Sequence, residues 1–312
     1  MTYPGGKRFA FTIIDDTDVA TVENVAPVYD LLERLGMKAT KTVWPLSCPE
    51  GSRDFGTSQT LEDPEYREFV LDLARRGFEI ASHGATMESS RRERTLRGFE
   101  VLRETFGSYP RVHANHAMNR ENLYWGTGRV DSPTLRGLLR IARIPSDYFE
   151  GHLERSEYWW GDFCREHVEY VRNLTFGTLN LARINPTMPY VDRGRPLVKY
   201  WFSAADAEDC REFNYLLRPE AQGDLERDGG FAIVATHFGK AFASGGGVNA
   251  RTVELLELLA ARDGWFPNVG ELLDWLLDRH GDHVLQPSEW KRMQWRWFQD
   301  LVRRKMRSGL LH

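Results

Sequence analysis

Cysteine is scarce in this chain. The three present, Cys48, Cys164 and Cys210, are odd in number, far apart and never in a CxxC spacing. That excludes a disulfide framework and a thiolate zinc site, and a reducing compartment is the expected setting. Long apolar runs are missing too. No uninterrupted stretch of about 18 apolar residues exists to span a bilayer, and the opening MTYPGGKRFAF holds no secretory apolar core, so the expectation is a soluble, cytoplasmic protein. There is little excess charge of either sign. A net charge of -4 argues against a dedicated nucleic-acid binder. No internal repeat or low-complexity segment occurs, and the glycines of ASGGG (Ala243 to Gly247) have neither the Walker lysine nor the dinucleotide spacing that a phosphate loop needs.

What is there suits a soluble globular α/β protein. With 312 residues, 41% hydrophobic and 28% charged, the chain can bury a substantial core in one large domain or two smaller ones without a staple. Phe9 to Asp18 (FAFTIIDDTD) reads as a buried strand ending in Asp15, Asp16 and Asp18. The helical spacing of Val25, Val28, Leu31, Leu32 and Leu35 follows, closed by Gly36. Lys38 to Trp44 is a second strand, a helix begins at Pro64, and Phe78 to Ser82 is a third strand running into His83. A helix from about Ser89 to Phe106 and a strand at Arg111 to Ala114 continue the alternation, which predicts a parallel sheet. From about 120 to 225 the periodicity weakens, and the segment reads as helices mixed with long loops. There YWWGDFC (Tyr158 to Cys164) is either a sugar-stacking cluster or, the favoured reading, core. Regularity returns with the strand FAIVAT ending at His237, an amphipathic helix from Arg251 to Arg262 and a helix from Val269 to Leu277. The tail from Ser288 to Met306 sets Trp290, Met293, Trp297 and Leu301 on one helical face among Lys and Arg. It is read either as a helix for a membrane surface or protein partner, or as one packed on the parent domain.

In open or barrel α/β sheets the carboxyl ends of the strands form the site. Asp15, Asp16, His83 and His237 all stand there, which is the inventory of a metal hydrolase. A divalent ion held by carboxylate and imidazole lowers the pKa of a water, a free carboxylate takes its proton, and a separate histidine protonates the leaving amine. An aspartate-rich helix cap is the competing explanation for the aspartates.

The segments TIIDDTD, EIASHG at Glu79 to Gly84, IVATH at His237 and GWFPNVGELLDWL at Gly264 to Leu276 resemble, in order, motifs of the polysaccharide deacetylases, the NodB-like carbohydrate esterases. The resemblance covers roughly 8 to 118 and 230 to 278. It implies a distorted parallel (β/α) barrel over 1–280, with an insert of loops and helices at about 120–225 and a helical extension at 281–312. It also implies a divalent metal, with Zn2+ expected, and removal of an acetyl group from an acetamido sugar or related glycoconjugate. By the same resemblance Asp15 is the general base, Asp16 and His83 are metal ligands, and His237 is the general acid. The sequence departs from the family at Thr17 and Asp18, where Gly and Pro are usual, and at Met87, where a second histidine ligand is usual. A thioether binds such ions poorly. The expected third ligand is His116, with His113 or Asp18 as alternatives. His113, Asn115, Asn119, Arg120 and Tyr124 form the expected substrate-binding set. The rival readings are a non-catalytic carbohydrate-binding relative, or another metal-assisted C–N hydrolase or lyase on the same scaffold.

Overall fold

The computed structural model describes residues 2–141 and 148–310. Residues 142–147 of the middle segment and 311–312 of the tail lie outside the described residues.

Seven parallel strands close into a barrel: β1 (Phe9–Asp15), β2 (Thr40–Val43), β3 (Glu79–Ser82), β4 (Val112–Ala114), β5 (Tyr170–Phe176), β6 (Tyr200–Asp206) and β7 (Phe231–Thr236). Each pairs with the next. β7 returns to β1 in a register that runs from Ala10 opposite Phe231 to Asp15 opposite Thr236, and this pairing seals the ring. β1 and β7 are mostly apolar and buried on both faces, as parallel strands with a filled interior and a helical jacket must be. The jacket includes α1 (Val22–Arg34), α2 (Pro64–Arg75), α3 (Arg92–Phe106), α4 (Pro133–Ile141), α5 (Gly161–His167), α6 (Cys210–Leu216), α7 (Pro219–Asp228), α8 (Ala250–Ala260), α9 (Val269–His280) and α10 (Pro287–Leu310). Thr21 caps α1 in a reciprocal capping box with Asn24, which fixes where the chain turns after the aspartates.

The expected distorted (β/α) barrel with a C-terminal helix is therefore the architecture. The middle segment needs correction. It is not only helices and loops, because β5 and β6 are barrel staves drawn from it. β5 (YVRNLTF) carries Arg172 and Asn173 in mid-strand, and those polar residues mask its period. YWWGDFC behaves as core: Trp160 and Cys164 are buried, and the indole N–H of Trp160 donates to the Glu121 carbonyl. The ASGGG glycines make the tip of a two-stranded hairpin, with Gly245 and Gly246 at positive φ.

Of the two readings for the tail, docking on the parent domain is what its apolar face does. Trp290, Met293 and Trp297 of α10 are buried. The Gln294 side-chain oxygen accepts the Asp131 and Ser132 amides at 3.0 and 3.3 Å, and Asp300 accepts the Gly177 amide at 3.3 Å. Among the described residues no helix is long and apolar enough to cross a membrane.

Candidate metal centre and active site

A pocket of about 260 Å³ opens at the carboxyl ends of the barrel strands, with Asp16, Asp18, His83, His116, Arg172 and His237 in its lining. Asp16 and Asp18 come from the loop after β1, His83 follows β3, His116 follows β4, Arg172 stands on β5 and His237 follows β7. Two close approaches hold these loops together. A Cβ on Gly239 would lie 2.7 Å from the Val19 carbonyl oxygen, so only glycine lets the His237 loop rest on the Asp18 loop. A Cβ on Gly98 of α3 would meet Ala85 and Pro45 at 3.0 and 3.1 Å, beside the loop that carries His83.

Asp15 is placed elsewhere than expected. Successive residues of an extended chain point to opposite faces, so Asp15 and Asp16 cannot both enter the mouth. Asp15 faces the helical jacket. It is fully buried in an ion pair with Lys41, its register partner on β2, at 2.9 Å, and it accepts the Tyr29 hydroxyl of α1 at 2.9 Å and the Phe238 amide at 2.8 Å. It does not line the pocket. Burial works against a charged Lys41, but Asp15 outweighs it and the ammonium is held above its ordinary pKa.

Asp16 faces the pocket. Both of its oxygens accept from the Arg172 guanidinium, at 2.9 and 2.6 Å, in the bidentate geometry that suits a carboxylate. Its amide donates to the Thr236 carbonyl at 2.7 Å, tying the loop to β7. Burial raises the Asp16 carboxyl, but Arg172 and then His83 more than offset this, and the net shift is downward.

Asp18 is the centre of the cluster. The Nε2 atoms of His83, His116 and His237 lie 3.5, 3.4 and 3.4 Å from its oxygens, and one ligand atom from each of Asp18, His83 and His116 falls within 4.8 Å of the others. Each imidazole is oriented from behind. Nδ1 of His83 reaches the Ala114 carbonyl at 2.7 Å, Nδ1 of His237 the Glu208 carbonyl at 2.8 Å, and Nδ1 of His116 the Asn119 amide oxygen at 2.9 Å. These acceptors take the Nδ1 protons and turn the three Nε2 atoms toward a carboxylate. The gaps are long for charge-assisted hydrogen bonds, and His83 Nε2 and Asp18 Oδ1 are buried without a hydrogen-bond partner. A divalent ion fits this donor set. Ligand bonds of about 2.0–2.1 Å in a tetrahedral site separate neighbouring ligand atoms by about 3.4 Å, the spacing found here between Asp18 and each imidazole. Burial raises the Asp18 carboxyl, yet the adjacent imidazoles of His116, His237 and His83 hold it far below the carboxylate range. For His83 burial prevails and its pKa falls. For His116 and His237 burial is outweighed by the Asp18 carboxylate, and their pKa rises.

The remaining expected residues divide. Asn115 lines the pocket and also braces the loop, exchanging hydrogen bonds with the Leu123 backbone. His113 lies behind the site with its Nδ1 on the Ser82 hydroxyl, and burial pushes its pKa down to about 3. Arg120 pairs with Glu150 at 2.7 Å over the Tyr158 ring, and Tyr124 stacks on His152. Neither lines the pocket. Met87 takes a hydroxyl hydrogen bond from Thr57 and lines a different cavity. Asn119 positions His116 and does not touch the pocket. Because it also donates to Glu121 and to the Thr86 and Glu88 carbonyls, its orientation is fixed. Asn119→Ala is expected to weaken divalent-metal affinity by about 10–100-fold, read by competition against a chromophoric chelator.

No protein-family model and no curated protein matches the sequence. Solved structures do. A Mycobacterium smegmatis protein assigned as a polysaccharide deacetylase superposes with a TM-score of 0.53 at 15% identity, over 92% of this chain and 96% of that one. The chain has the polysaccharide deacetylase fold. The Puue allantoinase is similar at a TM-score of 0.53 and 12% identity, over 89% and 93% of the two chains. A Pseudomonas aeruginosa protein assigned to the same deacetylases gives 0.52 and 13%, over 89% and 94%. Within this deacetylase fold, Arg172 escaped the sequence reading. A lone arginine in a buried strand was the available signal, since a buried charge requires a partner.

Proposed function

We propose that this protein is a divergent metal-dependent hydrolase of C–N bonds that removes an acetyl group from an acetamido sugar or a related compound. The observation that carries the reading is the convergence of three histidine Nε2 atoms on the buried Asp18 carboxylate. Asp18, His83 and His116 would hold the ion, and zinc suits a carboxylate with two imidazoles. When bound, the ion supplies Lewis-acid chemistry: it lowers the pKa of a water and polarises a carbonyl.

The chain's own groups supply the proton transfers. Asp16, rather than Asp15, is assigned the role of base, because it faces the pocket and Arg172 fixes both its oxygens. His237 is assigned the role of acid, giving a proton from Nε2 to the departing amine while the Glu208 carbonyl holds its Nδ1. Keeping a carboxylate and an imidazole on the adjoining loops after β1 and β7 favours an enzyme over a binding-only relative, since binding alone requires neither.

The purified protein is expected to carry about one equivalent of divalent metal by mass spectrometry, and Asp18→Ala is expected to lose it together with acetate release from N-acetylated sugars. Full activity in a metal-free sample, or in Asp18→Ala, would defeat the proposal.

A further inference from the structure

The pocket holds one charge for which hydrolysis has no use. Arg129 ends a short helical turn, Gly126–Arg129, and its guanidinium carbon lies 3.1 Å from the centroid of the Trp125 ring and 5.6 Å from that of Trp297 on α10. It lines the same pocket as Asp18 and His237, and its Nε is buried without a hydrogen-bond partner. The acids of the lining are all matched. Asp16 pairs with Arg172, Asp206 with Arg304 and the Thr175 hydroxyl, Glu208 with Lys240, and Asp18 with the three imidazoles.

Among the described residues no carboxylate pairs with Arg129, and the charges that act on it most, Arg172 and Arg304, are cations. A divalent ion at Asp18 would add more positive charge. Leaving a half-buried guanidinium unmatched is costly, and Arg is the side chain best shaped to grip a carboxylate or phosphate with two parallel N–H bonds. The two indoles fix it for that purpose. Trp297, Leu301 and Arg304 of α10 wall one side, and the volume is at the small end for ligand pockets, which suits a single sugar-sized unit better than a polymer lying across the mouth.

Resting on the hydrolase reading, we infer that the substrate is a small acyl amide bearing an anionic group, a carboxylate or a phosphate, which Arg129 binds while the amide lies at the Asp18 cluster. Arg129 is thus a specificity-determining residue.

The test is calorimetric titration of the metal-loaded protein with three probes sharing one amide: N-acetylglucosamine, N-acetylmuramic acid and N-acetylglucosamine 6-phosphate. At least one charged probe is expected to bind about 10–100-fold more tightly than the neutral one, and which one does so distinguishes carboxylate from phosphate. Arg129→Gln is expected to erase the difference and Arg129→Lys to restore part of it, which also controls for misfolding. Equal affinities, no binding of either charged probe, or a preference that survives in Arg129→Gln would overturn the inference. Acetate release is scored separately. Charge preference that depends on Arg129 without acetate release sinks the hydrolase reading alone, whereas release without charge preference sinks this inference alone.

Discussion

Asp16→Asn is expected to lower turnover by about 10²–10⁴-fold while metal content stays near one equivalent. The asparagine keeps an oxygen for Arg172 but cannot take a proton, so binding of metal and ligand should persist while the rate falls. Asp15→Asn is the informative partner experiment. Asp15 is walled off behind the barrel by Lys41, Tyr29 and Phe238, so its substitution should lower the melting temperature and leave the rate per folded molecule nearly unchanged. If Asp15→Asn abolishes turnover in fully folded, metal-loaded protein and Asp16→Asn does not, the assignment of the base is wrong.

The second large effect is on stability. Lys41→Met is expected to cost about 3–5 kcal/mol, because it strands a fully buried carboxylate, whereas Lys41→Met combined with Asp15→Leu should recover most of the loss. Urea titrations of the two variants separate these outcomes, and equal destabilisation by both would refute the pairing. A pH dependence follows with a definite sign. The native pKa of Lys41 lies above its unfolded value, so the stability from its charge is fully present below about pH 10.5 and is lost as pH rises through the native value. Alkaline unfolding should therefore begin at lower pH in any variant that weakens the pair.

The barrel was legible because β1 and β7 are apolar runs, β2 is rich in β-branched residues and the helices carry clear 3.6-residue spacing. The same signals placed the strand ends, and with them the loops bearing Asp16, Asp18, His83 and His237. The division of labour among the aspartates was less visible. It rests on the alternation of Asp15 and Asp16 across the sheet, together with the register that sets Lys41 opposite Asp15. Arg172, Arg129 and α10 could not be placed beforehand, because their roles come from pairings between segments far apart in sequence. Those pairings depend on barrel closure, which local periodicity does not encode. His116 and Asp18, both named as candidate third ligands, stand together at the cluster, while His113 lies behind it.

Because β1 finds its second neighbour only in β7, and the pocket takes a wall from α10, a nascent chain emerging from the ribosome holds its first aspartates for most of synthesis with neither their cage nor their cover. The pocket is thereby completed only at the last stage of folding, after β1, β7 and α10 have met.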